Sequence, residues 1–93
     1  MPHKFPALRY SALMAEKQKH LEAFGFVLRK HRLEKGLTQE QLSERVDVVR
    51  SFICGLENGR KQPSLQMILK LGEALGVDPG ELVSATNARI VNK

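Results

Sequence analysis

Between Leu37 and Gly59 the chain reads LTQEQLSERVDVVRSFICGLENG, and this stretch restricts the possible folds more than any other. It predicts two short helices joined by a tight turn. Thr38 can cap the first, and Gln41, three residues on, can reach back to the Thr38 amide to close a capping box. Leu42 and Val46 lie four apart and therefore share a face. In the second helix Ile53 and Leu56 are directed inward, which leaves Arg50, Ser51, Cys54, Gly55 and Asn58 on the opposite side. Asp47 falls between the helices, where a turn needs glycine or a short polar residue that tolerates positive φ, and Gly59 stops the second helix.

The flanking residues supply support for this pair. MPHKFPALRY contains two prolines and no usable period, so residues 1–10 are expected to be an extended arm. A helix is expected to begin between Ser11 and Lys19 and to run to Lys35, with Leu21, Phe24 and Leu28 on one face. Gly25 within it costs about 1 kcal/mol relative to alanine, which marks a close helix contact. Gly36 ends that helix and Leu37 enters the core. After a polar loop, Ser64 caps a helix from Leu65 to about Leu75, given a broad apolar face by Leu65, Ile68, Leu69, Leu71 and Leu75 and stopped by Gly76. Asp78 caps a last short helix opened by Pro79, with Leu82 and Val83 as its apolar residues. Residues 84–93 show no firm pattern and are expected to trail off. The organisation is thus an N-terminal arm (1–17), a domain (18–84) whose central pair spans 38–58, and a C-terminal tail (85–93). Five helices and no convincing strand make the fold class all-α.

At 93 residues the chain can bury one modest core. No apolar run approaches the roughly 18 residues of a membrane span, and the N-terminus lacks a signal-peptide pattern, so a cytoplasmic protein is expected. The single cysteine, Cys54, cannot form an intramolecular disulfide. His3, His20 and His31 have no cysteine or carboxylate at metal-site spacing, and no glycine-rich phosphate loop or nucleophile with a base partner is present. Neither an enzyme nor a cofactor or metal is expected. The net charge of +5 is confined to one end: residues 1–35 hold eight Lys or Arg against three Glu, whereas residues 36–93 hold seven of each sign. A solvated basic helix and a phosphate-facing one both account for that excess.

Two short helices separated by a few residues form a helix-turn-helix, whose second helix can enter the DNA major groove. With Gly36-Leu37-Thr38-Gln39, Leu56-Glu57-Asn58-Gly59, Pro63-Ser64-Leu65 and Leu75-Gly76-Val77 in order and at matching spacing, the chain resembles the Xre family of phage repressor and Cro-type proteins from about Phe24 to Val83. Small members include repressor domains, antitoxins and restriction-modification controllers, and this sequence looks most like the controllers or simple repressors, which are bacterial or phage-encoded. The resemblance implies a five-helix, lambda-repressor-like domain, with Arg32 and Glu57 forming a structural ion pair beneath the DNA-facing surface. Two positions depart from the family pattern. Asp47 replaces the usual turn glycine, and Val49 replaces the Ser or Thr that caps the second helix, at a cost of about 1 kcal/mol.

The resemblance makes Arg50, Ser51, Cys54 and Gly55 the base-reading residues. Arg50 leads them, because a guanidinium can bond guanine O6 and N7 together. Phe52 can pack against the first helix of the pair or touch DNA, and packing is the expected role. Phosphates fall to Gln39, Asn58, Arg60 and Lys61, with Arg45 a weaker candidate. The implied partner is double-stranded DNA carrying an inverted repeat, bound by a homodimer whose interface is expected near Val77, Leu82 and Val83. The alternative is an antitoxin or other protein-binding module with secondary DNA binding.

Overall fold

The structure, a computed structural model, describes the backbone of residues 7–91 and the side chains of residues 18–91. Five helices follow one another: α1 (Ala7–Glu34), α2 (Gln39–Arg45), α3 (Arg50–Glu57), α4 (Leu65–Leu75) and α5 (Pro79–Val91). No strand occurs among the described residues.

The central pair forms as its capping residues dictate. Thr38 Oγ1 accepts from the Gln41 amide at 3.0 Å while Gln41 Oε1 accepts from the Thr38 amide at 2.9 Å, so both halves of the capping box are made. Asp47 takes φ 60°, the left-handed conformation that lets α2 turn into α3 within four residues. Val49 occupies the N-cap of α3 with extended backbone and no side-chain hydrogen bond. Ser64 caps α4 through the Met67 amide, and Asp78 Oδ1 accepts from the Gly80 amide at the start of α5.

One core holds the helices together. Leu28 of α1, Leu42 of α2, Ile53 and Leu56 of α3, Leu71 and Leu75 of α4 and Leu82 of α5 are all fully buried. Each such side chain contributes about 1.5–3 kcal/mol by leaving water. Gly25 brings α1 against the end of α3: an added Cβ would lie 2.4 Å from the Glu57 carbonyl oxygen and 2.6 Å from that of Leu56. The absence of a side chain there sets the spacing between the two helices.

Three expectations are corrected. Helix α1 starts at Ala7, so Ala7–Tyr10 are helical, and the proposed boundary at residue 17 falls inside a continuous helix. From Ala7 to Phe24 there is no Gly or Pro, and Ala, Leu, Lys, Gln and Met favour helix. The expected arm otherwise lies at residues 1–6, outside the described residues. Helix α5 likewise continues to Val91, so residues 85–91 are helix instead of tail. Ala85 packs on the core and the Arg89 guanidinium lies 3.4 Å from the centre of the Phe26 ring on α1, contacts that carry the helix past its last fully buried leucine. Finally, Leu65 and Leu69 are exposed, so the apolar face of α4 is narrower than its sequence implies.

Candidate nucleic-acid interface

The position of α3 is fixed from below by a polar network. Arg32 donates from Nε to Glu57 Oε2 at 2.6 Å and from Nη2 to Glu57 Oε1 at 3.0 Å, and its Nη1 donates to the Leu37 carbonyl at 2.7 Å. Gln39 Nε2 donates to the same Glu57 Oε1 at 3.0 Å. The end of α1, the start of α2 and the end of α3 are thereby tied at one carboxylate. Side-chain exposure is only 8% for Arg32 and 4% for Glu57, so the pair is dry enough for its geometry to matter. No buried side-chain nitrogen or oxygen among the described residues lacks a partner.

Above this network α3 turns Arg50 and Ser51 to solvent, with Cys54 half-buried one turn after Arg50. Asn58, Arg60 and Lys61 follow as an exposed polar rim. Asn58 is partly engaged: its Oδ1 accepts from the Arg60 amide at 3.2 Å, and its Nδ2 approaches Cys54 Sγ at 3.7 Å. Phe52 is half-buried and packs against the core.

Gly55 does not share the outward surface. It is buried, its carbonyl accepts from the amides of Arg60 at 2.9 Å and Lys61 at 3.0 Å, and an added Cβ would meet the Lys61 stem at 2.5 Å. Gly55 therefore shapes the loop that returns beneath α3, and a base edge cannot reach it. Gln39 is also more committed than its sequence position implies. Its amide already serves Glu57, so a side-chain contact with phosphate has to compete with that bond. Arg45 donates to the Ala74 carbonyl at the end of α4.

The expected dimer residues separate. Leu82 is fully buried in the core, which removes it from any interface, whereas Val83 is half-exposed and Val77 is half-buried against the core. Leu65 and Leu69, four apart on α4, are exposed apolar residues that the sequence pattern had assigned to the core. The bond from Gln39 to Glu57 also escaped the sequence reading, because nothing in its local spacing announces a partner eighteen positions away.

No group of His, Cys, Asp and Glu among the described residues could hold a metal ion, and no helix among them is long and apolar enough to cross a membrane.

Residues 28–82 match the helix-turn-helix family model. A helix-turn-helix-type transcriptional regulator of Methanothermobacter thermautotrophicus is 52% identical over 50 residues, covering 54% of this chain and 72% of that one. The crystal structure of the restriction-modification controller protein C.AhdI from Aeromonas hydrophila superposes with a TM-score of 0.65 at 45% identity, covering 67% of this chain and 90% of that one. The controller protein C.Esp1396I, solved as a tetramer with its natural 35 base-pair operator, gives a TM-score of 0.68 at 28% identity, covering 77% of this chain and 95% of that one.

Proposed function

The chain belongs to the helix-turn-helix family of DNA-binding transcriptional regulators, and on that basis we propose that it occupies operator DNA as a homodimer with α3 in the major groove. The observation that carries this reading is the Glu57 junction. It holds α3 from Arg32 and Gln39 so that Arg50, Ser51 and Cys54 emerge together on the side away from the core.

Arg50 reads a guanine through its paired donors, a contact worth about 1–3 kcal/mol of discrimination. Ser51 bonds an adjacent base or phosphate, and the small Cys54 permits close approach to a thymine methyl. Asn58, Arg60 and Lys61 grip the phosphate backbone beyond α3, and Gln39 meets it at the start of α2. One such domain reads only a few base pairs, so two copies on inverted half-sites about 34 Å apart provide the specificity. The copies meet through exposed apolar residues near the last helices, with Val83 joined by Leu65 and Leu69 and with Val77 at the margin. The site of action is cytoplasmic DNA.

Selection of bound duplexes from a random pool at moderate salt tests this reading. A paired inverted site preferred about a thousandfold over a scrambled control is the expected result. Weak binding blind to sequence would remove the regulator reading and direct attention to a protein partner.

A further inference from the structure

Two of the basic residues that give the first third of the chain its excess, Lys19 and Arg29, line one groove of the fold. A groove of about 370 Å³ lies between α1 and α5, against the end of α3, and its charged lining is Lys19, Glu22, Arg29, Glu57 and Arg89. The Arg32–Glu57 pair is the only ion pair among the described residues. Glu57 is therefore already neutralised, and Glu22 accepts a hydrogen bond from Gln18 at the groove's rim. Lys19, Arg29 and Arg89 face this space with no carboxylate at ion-pair distance among the described residues.

One of the three cations is held in place. The Arg89 guanidinium lies 3.4 Å from the centre of the half-exposed Phe26 ring, a stacking contact that orders the side chain while leaving its in-plane N–H donors free. An ordered guanidinium loses less freedom when it binds, and its fork matches two oxygens of a phosphate. The groove's volume is at the lower end of the range for ligand sites, enough for a phosphate with a sugar-sized remainder. Asn58, just beyond α3, forms part of its wall, and Gly59 backs directly onto Glu22, where an added Cβ would lie 3.4 Å from the Glu22 Cα. The groove thus opens beside the loop that follows the reading helix.

We propose that this groove is a phosphate-binding site, built by Arg29 and Arg89 with Lys19 at its edge. The phosphate comes either from duplex DNA flanking the half-site or from a free polyphosphate; the first source rests on the regulator reading above, and the second does not.

Two arms separate the sources, using the full chain and the double variant Arg29→Gln/Arg89→Gln. Thermal unfolding first establishes that the variant folds, and the single variants Arg29→Gln and Arg89→Gln, each expected to give half its effect, replace it if it does not. In the first arm, affinity for the selected duplex with long flanks is followed against salt. Contact with DNA phosphates requires the slope of log K against log salt to fall by about four, two for each protomer of the dimer, with base preference unchanged, whereas Lys70→Gln on α4 leaves the slope as it was. In the second arm, inorganic pyrophosphate is titrated at fixed ionic strength while the arginine Nε–H resonances are recorded. Saturable shifts at Arg29 and Arg89 in the wild-type chain, together with a salt slope that is unchanged in the variant, assign the groove to a free polyphosphate. An unchanged slope together with no saturable shift overturns the proposal. Should the wild-type chain bind no DNA specifically, the regulator reading fails and the pyrophosphate arm alone decides the groove.

Discussion

Arg32 and Glu57, twenty-five positions apart, meet in a two-bond fork that is almost wholly removed from water. Its third arm, from Arg32 Nη1 to the Leu37 carbonyl, captures the connection between α1 and α2 as well. One guanidinium therefore sets the relation between the helix that supports the site and the helix that presents it.

Removing one partner of this pair strands a buried charge, so Glu57→Ala should lose about 3 kcal/mol of stability in urea unfolding. Replacing both, as Arg32→Met/Glu57→Leu, should cost less than that single change, because no unpaired charge remains. Equal losses for the single and double variants would mean that the stranded Arg32 charge carries no penalty of its own.

The two helices of the central pair differ in capping, and the difference is measurable. Thr38→Ala breaks the capping box and should cost about 1 kcal/mol. Val49→Ser should gain about 0.5–1 kcal/mol, since the backbone at φ −76° and ψ 152° already suits a capping serine. Thermal unfolding of the two variants should move in opposite directions.

Gly25→Ala should destabilise the domain by about 1–3 kcal/mol, because the new methyl meets backbone carbonyls that cannot rotate away. A variant as stable as wild type in chemical denaturation would show that α1 and α3 separate at little cost.

Exposure divides the leucines of the last two helices into different tasks. Leu69→Asp, at a position 52% exposed, should leave the fold intact and shift sedimentation toward the monomer. Leu82→Asp places a carboxylate at a position with no exposure and should unfold the chain. A dimer unaffected by Leu69→Asp would place the contact on another face.

Much of this was legible in the residues because the signals are local. Thr38 with Gln41, Ser64, Asp47 and the glycines after α1, α3 and α4 each announce a helix boundary through backbone chemistry within four positions. Gly25 was legible too, as a cost in a helix that only close packing explains. The misreadings are tertiary. Gly55 lies one turn after Ser51 and so reads as outward, until the returning loop lays Lys61 across it. Leu65 and Leu69 repeat at helical spacing, and no pattern within α4 tells an apolar residue that faces the core from one left open. Residues 85–91 lack strong periodicity, and their helix is stabilised by contacts such as Arg89 on Phe26, sixty-three positions away.

The most direct test of the account is to repeat the selection from random duplexes with Arg50→Ala and with Lys61→Ala beside the wild-type chain. Arg50→Ala should relax base preference at one position in each half-site. Lys61→Ala should weaken all sequences together and lower the salt slope by about two, one for each protomer of the dimer. An Arg50→Ala protein that selects the wild-type site with undiminished preference would contradict the assignment of α3 as the helix that reads DNA.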